Sequence, residues 1–171
     1  AGFAIDSLDI GGGFGAFYEG HEAPPAAAYA EAVGPLLRGK AVAAQLDVTE
    51  AATIRPAVDG AVKGFGKVDA LVNCAGITGK TNIPAHQVDT ADFDIVYSVN
   101  LRGALLLSQA ILPHMLERRY GRLLHVASIA GKEGNAGMTA YSATKAGLIG
   151  MVKSMAKAYV EQGITINALA P

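Results

Sequence analysis

The sequence predicts an α/β fold in which a parallel sheet carries helices on both of its faces. Two observations predict it: short strand-like apolar runs alternate with longer helix-like stretches, and small or polar residues follow where the strand-like runs end. The strand–helix–strand order at this spacing favours right-handed crossover connections. Ligands bind such sheets beyond the carboxyl ends of the strands, so we expect the functional residues just after each strand.

The predicted strands are apolar runs of four to six residues, and the predicted helices fall between them. The runs lie at 41–46, 68–73, 123–127 and 165–168. The helix-like stretches occupy 50–65, 90–118 and 139–162. Residues 3–9 read as a further strand that ends at Asp9, and residues 10–25 are rich in turn-forming residues. We predict a single domain over 1–171, with 10–25 as a surface insertion.

The composition limits the classes of partner. At 171 residues the chain is long enough for one sizeable core, and 51% hydrophobic against 17% charged residues argues against disorder. The net charge of −1 disfavours binding to nucleic acid or to an anionic membrane. No uninterrupted apolar run approaches the roughly 20 residues of a membrane helix. We therefore expect a cytoplasmic protein without nucleic-acid or membrane partners.

Cysteine and histidine usage limits disulfide and metal chemistry. Cys74 is the only cysteine, which rules out an intramolecular disulfide and fits a reducing compartment. We expect it to be a small buried apolar residue rather than a nucleophile. The histidines at 21, 86, 114 and 125 are scattered without ligand spacing, so we predict no metal site.

The strongest chemical signal is the segment YSATK, which places Tyr141 and Lys145 four residues apart on a predicted helix. Residues at that spacing share a helix face, so a phenol and an ammonium group would project side by side. A free phenol has a pKa of about 10, and a neighbouring cation stabilises its anion and suits it to general acid/base catalysis. In isolation the same pair is more often an exposed helical contact.

Two further polar residues accompany this pair. Ser128 directly follows the strand-like run at 123–127, and its hydroxyl could polarise a carbonyl group, although a serine there is also an ordinary turn residue. Asn100 lies inside a predicted helix, where asparagine is a mediocre former. Taken alone, Asn100 is better explained as satisfying backbone groups at a kink.

Several segments together resemble the short-chain dehydrogenase/reductase family in order and spacing. They are LVNCAG at 71–76, SVNLRG at 98–103, GRLLHVASIAG at 121–131, YSATK at 141–145 and INALAP at 166–171. The resemblance covers about 42–171. It implies a Rossmann-like, doubly wound, three-layer α/β/α fold and hydride transfer between a nicotinamide cofactor and a carbonyl group or secondary alcohol.

The resemblance also implies roles for four catalytic residues. In that family the residue matching Tyr141 is the general acid/base, and the residue matching Ser128 orients and polarises the substrate. The counterpart of Lys145 binds the nicotinamide ribose and assists the tyrosine. The counterpart of Asn100 holds a water molecule in the proton relay.

Cofactor-binding residues are implied in the same way. Asn73, Ala75 and Gly76 match the segment that supports the sheet and lines the adenosine side. Asp47 and Val48 match an acidic–apolar pair that contacts the adenine ring. Tyr141 and Lys145 are expected to face the cofactor as well as the substrate.

The first residues match the family less well and leave two alternatives. Residues 11–16, GGGFGA, satisfy a loose Gly-x-Gly-x-x-Gly/Ala pattern for a phosphate-binding loop. We favour the other alternative, in which 3–9 is the family's second strand and Asp9 bonds the ribose 2′-hydroxyl, favouring NAD without excluding NADP. The chain is then expected to lack the family's first and last strands, its phosphate loop and its substrate-covering segment.

The resemblance leaves the substrate and the activity open. Polyols, sugar-derived acids and 3-oxoacyl compounds are the substrate classes it suggests. The alternative function is a catalytically silent nucleotide-binding or regulatory protein, or an inactive fragment of such an enzyme. Family members pair through the helices that match 90–118 and 139–162, which implies a homodimer or homotetramer.

Overall fold

The structure is a computed structural model that describes residues 44–171. Several predictions concern residues 1–43 and lie outside the described residues. They are the strand at 3–9, Asp9, the glycine-rich segment at 11–16, the insertion at 10–25 and the first three residues of the strand at 41–46.

The sheet of the described region has three parallel strands. They are β1 (Ala70–Asn73), β2 (Gly121–Val126) and β3 (Ile164–Leu169), hydrogen-bonded in the order β1-β2-β3. In the register of β1 against β2, Asn73 lies opposite His125. The strands predicted at 68–73, 123–127 and 165–168 and their parallel arrangement are therefore confirmed.

Helices connect the strands at nearly the predicted positions. The α-helices are α1 (Ala51–Phe65), α2 (Thr90–Tyr97), α3 (Gly103–Glu117), α4 (Ala130–Glu133) and α5 (Thr139–Tyr159). Short 3₁₀ turns occupy Ala85–Gln87 and Val160–Gln162, and a π-helical turn at Ser98–Arg102 joins α2 to α3. The helix predicted at 90–118 is thus two α-helices around a π turn.

The core lies between the sheet and the helices α3 and α5. Alternate residues of β2, among them Leu123, face this core and are buried, as strand periodicity requires. Leu123 packs with Met115 of α3, Leu148 of α5 and Ile164 of β3. A second cluster joins α1 to α3 through apolar side chains, with Ile54 at its centre. These contacts fix α5, which carries the YSATK segment, against β2 and β3.

The segment at 44–46 corrects the sequence prediction. Residues 44–46 were expected to complete a strand that begins at 41, but they belong to no strand. A strand exists only where its backbone groups pair with a neighbour. Among the described residues β1 pairs with β2 alone, so no ladder reaches this segment.

Thr90–Glu117 form one helical stretch of 28 residues that is long and apolar enough to cross a membrane. The sequence has no uninterrupted apolar run of that length, because polar residues interrupt the stretch. Half of its most apolar window, 50%, is buried inside the protein. Ala104, Ile111 and Met115 are among its core residues. A helix in the core of a protein can be equally long and apolar, so the stretch gives little support to a membrane span.

Gly163, which precedes β3, offers a test of the backbone geometry. Its φ is +80°, and an added Cβ would collide with the carbonyl group of Arg119. A left-handed backbone costs a residue with a Cβ about 1–2 kcal/mol, before the collision is counted. We therefore expect Gly163→Ala to lower the free energy of unfolding by about 2 kcal/mol or more in urea denaturation.

Gly150→Ala is the matched control. Gly150 lies inside α5, and an added Cβ there meets no atom within 4 Å. Since alanine is the better helix former by about 1 kcal/mol, this variant should be as stable as the parent or more stable. Equal stabilities for the two variants would contradict the described turn at Gly163.

Candidate active site

Most of the predicted site residues come from the carboxyl ends of β1 and β2 and from the first turns of α5; Asn100 comes from the π turn, and Asp47 and Val48 precede α1. The loop 74–77 follows β1, Ser128 lies two residues beyond the end of β2, and Tyr141 and Lys145 lie on α5. This is the edge at which open α/β sheets bind ligands. The parallel register brings the ends of β1 and β2 to the same edge.

Lys145 is a buried cation beside the tyrosine ring. Its side chain is buried, and Nζ donates a hydrogen bond of 2.7 Å to the carbonyl oxygen of Val126. Nζ also lies 5.6 Å from the centroid of the Tyr141 ring. Burial lowers the pKa of the Lys145 ammonium, and the nearby Cys74 acts in the opposite direction. The predicted side-by-side arrangement of phenol and ammonium is therefore present.

Asn100 lies within the π turn and binds the loop after β1. It is 1% exposed; its Oδ1 accepts from the Ile77 amide at 2.8 Å and its Nδ2 donates to the Ile77 carbonyl at 2.8 Å. Nδ2 also lies 3.2 Å from Oγ1 of Thr144. The amide thus satisfies backbone groups at a helix irregularity, which is what the residue suggested in isolation. π turns frequently occur at functional sites.

Gly76 brings the asparagine and the lysine together. A Cβ added to Gly76 would lie 3.2 Å from Lys145 Nζ and 3.4 Å from Asn100 Oδ1. Gly131 approaches the backbone of the lysine, where an added Cβ would lie 2.6 Å from the carbonyl carbon of Lys145. The structure therefore unites Gly76, Asn100 and Lys145 in one cluster.

Ser128 and Tyr141 are half-buried. The Ser128 hydroxyl oxygen accepts from the Ala130 amide at 3.2 Å, which orients the turn after β2. Val126, whose carbonyl holds Lys145, precedes Ser128 by two residues.

Asp47, Val48 and Ala75 line one wide, open cavity. Oδ1 of Asp47 accepts from the amide and from the hydroxyl of Thr49, each at 2.8 Å. These hydrogen bonds lower the pKa of the Asp47 carboxyl. Three of the residues assigned to the adenosine side are therefore neighbours, and the carboxylate among them is ionised at neutral pH.

A buried polar network behind the loop was missed by the sequence analysis. Asn73 Nδ2 lies 3.2 Å from His125 Nδ1, and His125 Nε2 lies 3.1 Å from Oγ of Ser108. Burial, with a smaller effect from Lys145, lowers the pKa of His125 to about 4. The available signal was the alternation in β2, since His125 occupies the same buried face as Leu123.

Cys74 corrects another expectation, because it is exposed rather than buried. Successive residues of a strand and its extension point to opposite faces. Asn73 points into the core, so the next side chain points away from it. Among residues 44–171, no group of three or more His, Cys, Asp and Glu side chains is placed to hold a metal ion.

Comparisons with known proteins define the family. The family model for short chain dehydrogenases matches residues 13–171. The chain therefore belongs to the short chain dehydrogenase family. It is 43% identical over 126 residues to 2-dehydro-3-deoxy-L-rhamnonate dehydrogenase (NAD(+)) of Sphingomonas sp. (strain SKA58), covering 74% of this chain and 50% of that protein.

Two further comparisons, with a curated relative and with a solved structure, agree with this family. The 3-oxoacyl-[acyl-carrier-protein] reductase FabG of Thermotoga maritima (strain ATCC 43589 / DSM 3109 / JCM 10099 / NBRC 100826 / MSB8) is 39% identical over 135 residues, with 79% of this chain and 54% of the relative covered. The structure of ElxO with NADP bound superposes with a TM-score of 0.78 at 31% identity, covering 84% and 59% of the two chains. The predicted Rossmann-like α/β fold is confirmed. The chain spans about half the length of the curated relatives it matches.

The buried His125 predicts a specific dependence of stability on pH. Its pKa is about 4 in the folded protein and about 6.5 in an unfolded chain. Between these values the unfolded state binds a proton that the folded state does not, so stability falls as the pH drops. We expect a loss of about 3 kcal/mol between pH 6.5 and pH 4 in urea denaturation.

Carboxylates act in a different pH window. The pKa values of Asp47 and Asp69 lie below 3.8, so the stability they contribute is lost only at lower pH. Replacing the exposed His86 by Gln serves as the control and should leave the loss above pH 4 intact. Constant stability from pH 6.5 to pH 4.5 would show that His125 is not the buried neutral base described.

Proposed function

We propose that the protein is an NAD(P)-dependent oxidoreductase that transfers hydride between a nicotinamide cofactor and a carbonyl group or secondary alcohol. The observation that carries the proposal is the buried Lys145 ammonium beside the Tyr141 ring, with Gly76 against its Nζ. Membership of the short chain dehydrogenase family supports it. The relatives named above are a dehydrogenase and a reductase.

The proposed proton chemistry centres on Tyr141. In reduction its hydroxyl gives a proton to the carbonyl oxygen of the substrate, and in oxidation the phenolate accepts the alcohol proton. The Lys145 cation stabilises that phenolate because it lies 5.6 Å from the centroid of the ring in a buried, low-dielectric position. Ser128 donates a hydrogen bond to the reacting oxygen and polarises the carbonyl.

Asn100 holds the loop after β1 that lines the proposed site. Its amide fixes both backbone groups of Ile77, so the loop after β1 keeps its distance from Lys145. Through the π turn it also faces Thr144, the neighbour of Lys145 on α5. We assign to Asn100 the positioning of this loop and, by family resemblance, of a water molecule in the proton relay.

The residues fit a dinucleotide cofactor. Gly76 leaves open the space beside Lys145 Nζ that a Cβ would fill, so a ribose hydroxyl could approach the ammonium. We assign the adenosine side to the cavity that Asp47, Val48 and Ala75 line, with Asn73 supporting it from the sheet. When bound, the nicotinamide supplies or accepts the hydride. NAD is our preferred cofactor through the assignment of Asp9, and NADP is the alternative.

The substrate is proposed as a polyol, a sugar-derived acid or a 3-oxoacyl compound. The second class agrees with the name of the Sphingomonas relative and the third with that of the Thermotoga relative. A second cavity of about 140 Å³ lies where the segment 80–92 meets Thr139 and Ala140, immediately before Tyr141. Its position suits the substrate side of the site.

We also propose a cytoplasmic homodimer or homotetramer. Large apolar side chains on the α2–α3 stretch remain exposed, with Ile95 at 57% and Tyr97 at 43%. Apolar side chains in such positions favour pairing with a second copy of the chain. The single cysteine agrees with a reducing compartment.

Replacing Tyr141 tests the general acid/base. Tyr141→Phe removes one hydroxyl and should lower kcat about 1000-fold, because positioned proton transfer contributes factors of about 10²–10⁴. Turnover is measured by nicotinamide absorbance with a panel of polyols, sugar acids and 3-oxoacyl thioesters. Tyr159→Phe, at the last residue of the same helix, is the matched control and should keep the parental rate.

Retention of full activity in Tyr141→Phe would contradict the assignment of the general acid/base. Nucleotide binding without turnover of any substrate by the parent protein would instead favour the alternative, a catalytically silent nucleotide-binding protein.

Replacing Asp47 tests the adenosine side of the cavity. Asp47→Ala removes the carboxylate that Thr49 orients, and it should raise the Kd for NAD roughly tenfold in isothermal titration calorimetry. Asp69→Ala is the control, because Asp69 is held by ion pairs with Lys67 and Arg118 and does not line the cavity. Equal Kd values for the two variants would place the adenosine elsewhere.

A further inference from the structure

The hydrogen-bond network behind the site fixes the tautomer of His125. Oδ1 of Asn73 accepts from the Ala75 amide at 3.1 Å, so the same side chain must present its Nδ2–H₂ group to His125. That group lies 3.2 Å from Nδ1 of the imidazole. Nδ1 is therefore the unprotonated acceptor, and the ring proton lies on Nε2.

The other side of the ring agrees with this assignment. Nε2–H donates to Oγ of Ser108 at 3.1 Å, and the hydroxyl proton of Ser108 is in turn donated to the carbonyl oxygen of Ala104 at 2.8 Å. Each group thus makes one contact for which it is chemically suited. Within the described region no buried side-chain nitrogen or oxygen lacks a partner.

The network ends at the loop that lines the proposed active site. Asn73 holds the start of this loop at the Ala75 amide, and Asn100 holds its end at Ile77. Between them, Gly76 lies against the ammonium group of Lys145. The position of the loop relative to the cofactor-facing lysine therefore depends on the amide orientation of Asn73.

We propose that His125, held as the Nε2–H tautomer by Ser108, is a positioning residue that sets the amide orientation of Asn73 and thereby the cofactor-facing loop 75–77. The inference rests on the proposed function, since the role it gives to the loop is cofactor binding. His125 is fully enclosed and contacts no solvent, so it acts through Asn73 and Ala75.

The other tautomer of His125, protonated at Nδ1, would disrupt each hydrogen bond between the ring and the loop. A proton on Nδ1 would face the Asn73 Nδ2–H₂ group, placing donor against donor. Turning the Asn73 amide to relieve that contact would place Nδ2–H₂ against the Ala75 N–H, again donor against donor. The charged group that acts on His125 is Lys145 on α5, and its charge also disfavours a second proton on the ring.

The direct measurement is the tautomer itself. Long-range ¹H–¹⁵N NMR of the parent protein at pH 7 should identify His125 as neutral and protonated at Nε2. This readout requires no variant and no cofactor. A ring protonated at Nδ1, or at both nitrogens, would overturn the proposal.

Ser108→Ala tests the link from the ring to the loop. Without the hydroxyl, Nε2–H loses its acceptor and the Nδ1–H tautomer becomes competitive. We expect amide exchange at Ala75 to become about tenfold faster and the Kd for NAD or NADP to rise about tenfold. At saturating cofactor, kcat should change less than about threefold, because Tyr141, Lys145 and Ser128 are unaltered.

Ser154→Ala, on the exposed face of α5, is the matched control and should leave all three quantities unchanged. Unchanged Ala75 exchange and cofactor Kd in Ser108→Ala would refute the positioning role. Faster Ala75 exchange in a protein that binds neither NAD nor NADP would uphold the link from His125 to the loop and refute the proposed function instead.

Discussion

The ammonium group of Lys145 lies inside the described fold, and the surrounding elements are arranged around that buried charge. Burying an ion costs several kcal/mol unless polar groups replace its water. Here the Val126 carbonyl accepts one hydrogen bond and the Tyr141 ring lies 5.6 Å from the nitrogen. Within residues 44–171 no carboxylate forms an ion pair with Lys145. The charge is therefore only partly compensated, which is consistent with its lowered pKa.

A partly compensated cation is suited to interact with a ligand. One carbonyl group uses one of the three donors of the ammonium group, so donors remain for a ligand. The backbone must come close for this geometry, and two glycines permit it. Gly76 approaches Nζ directly, and Gly131 brings α4 against the backbone of Lys145 itself. A side chain at Gly131 would displace the helix that carries the lysine, whereas one at Gly76 would require Nζ to give way by a few tenths of an ångström.

The parts of the structure that depend on local periodicity could be predicted from the sequence. The strands β2 and β3 and the long helix α5 follow from apolar spacing, and the shared face of Tyr141 and Lys145 follows from the helical repeat. The roles of individual residues were not predictable in this way. They were implied by resemblance to a family; the family model confirms the family, and the roles stay predictions.

Features that depend on partners far away in the sequence were not predicted. The π turn at Ser98–Arg102 places Asn100 against Ile77, which lies 23 residues earlier in the chain. His125 looked like an isolated histidine because its partners, Asn73 and Ser108, lie on β1 and α3. The described end of the strand expected at 41–46, residues 44–46, is not a strand for the same reason, since pairing with a neighbour decides whether a strand forms.

Lys145 and His125 are two buried basic groups that differ in protonation state. Burial disfavours the cationic form of both side chains, and the positive charge of Lys145 further disfavours a proton on His125. The lysine starts from the much higher pKa, so it keeps the proton and the histidine stays neutral. A neutral ring can accept from Asn73 and donate to Ser108 at once, which a charged ring cannot. The charge on Lys145 therefore helps to keep His125 in the form that orients the loop beside that same lysine.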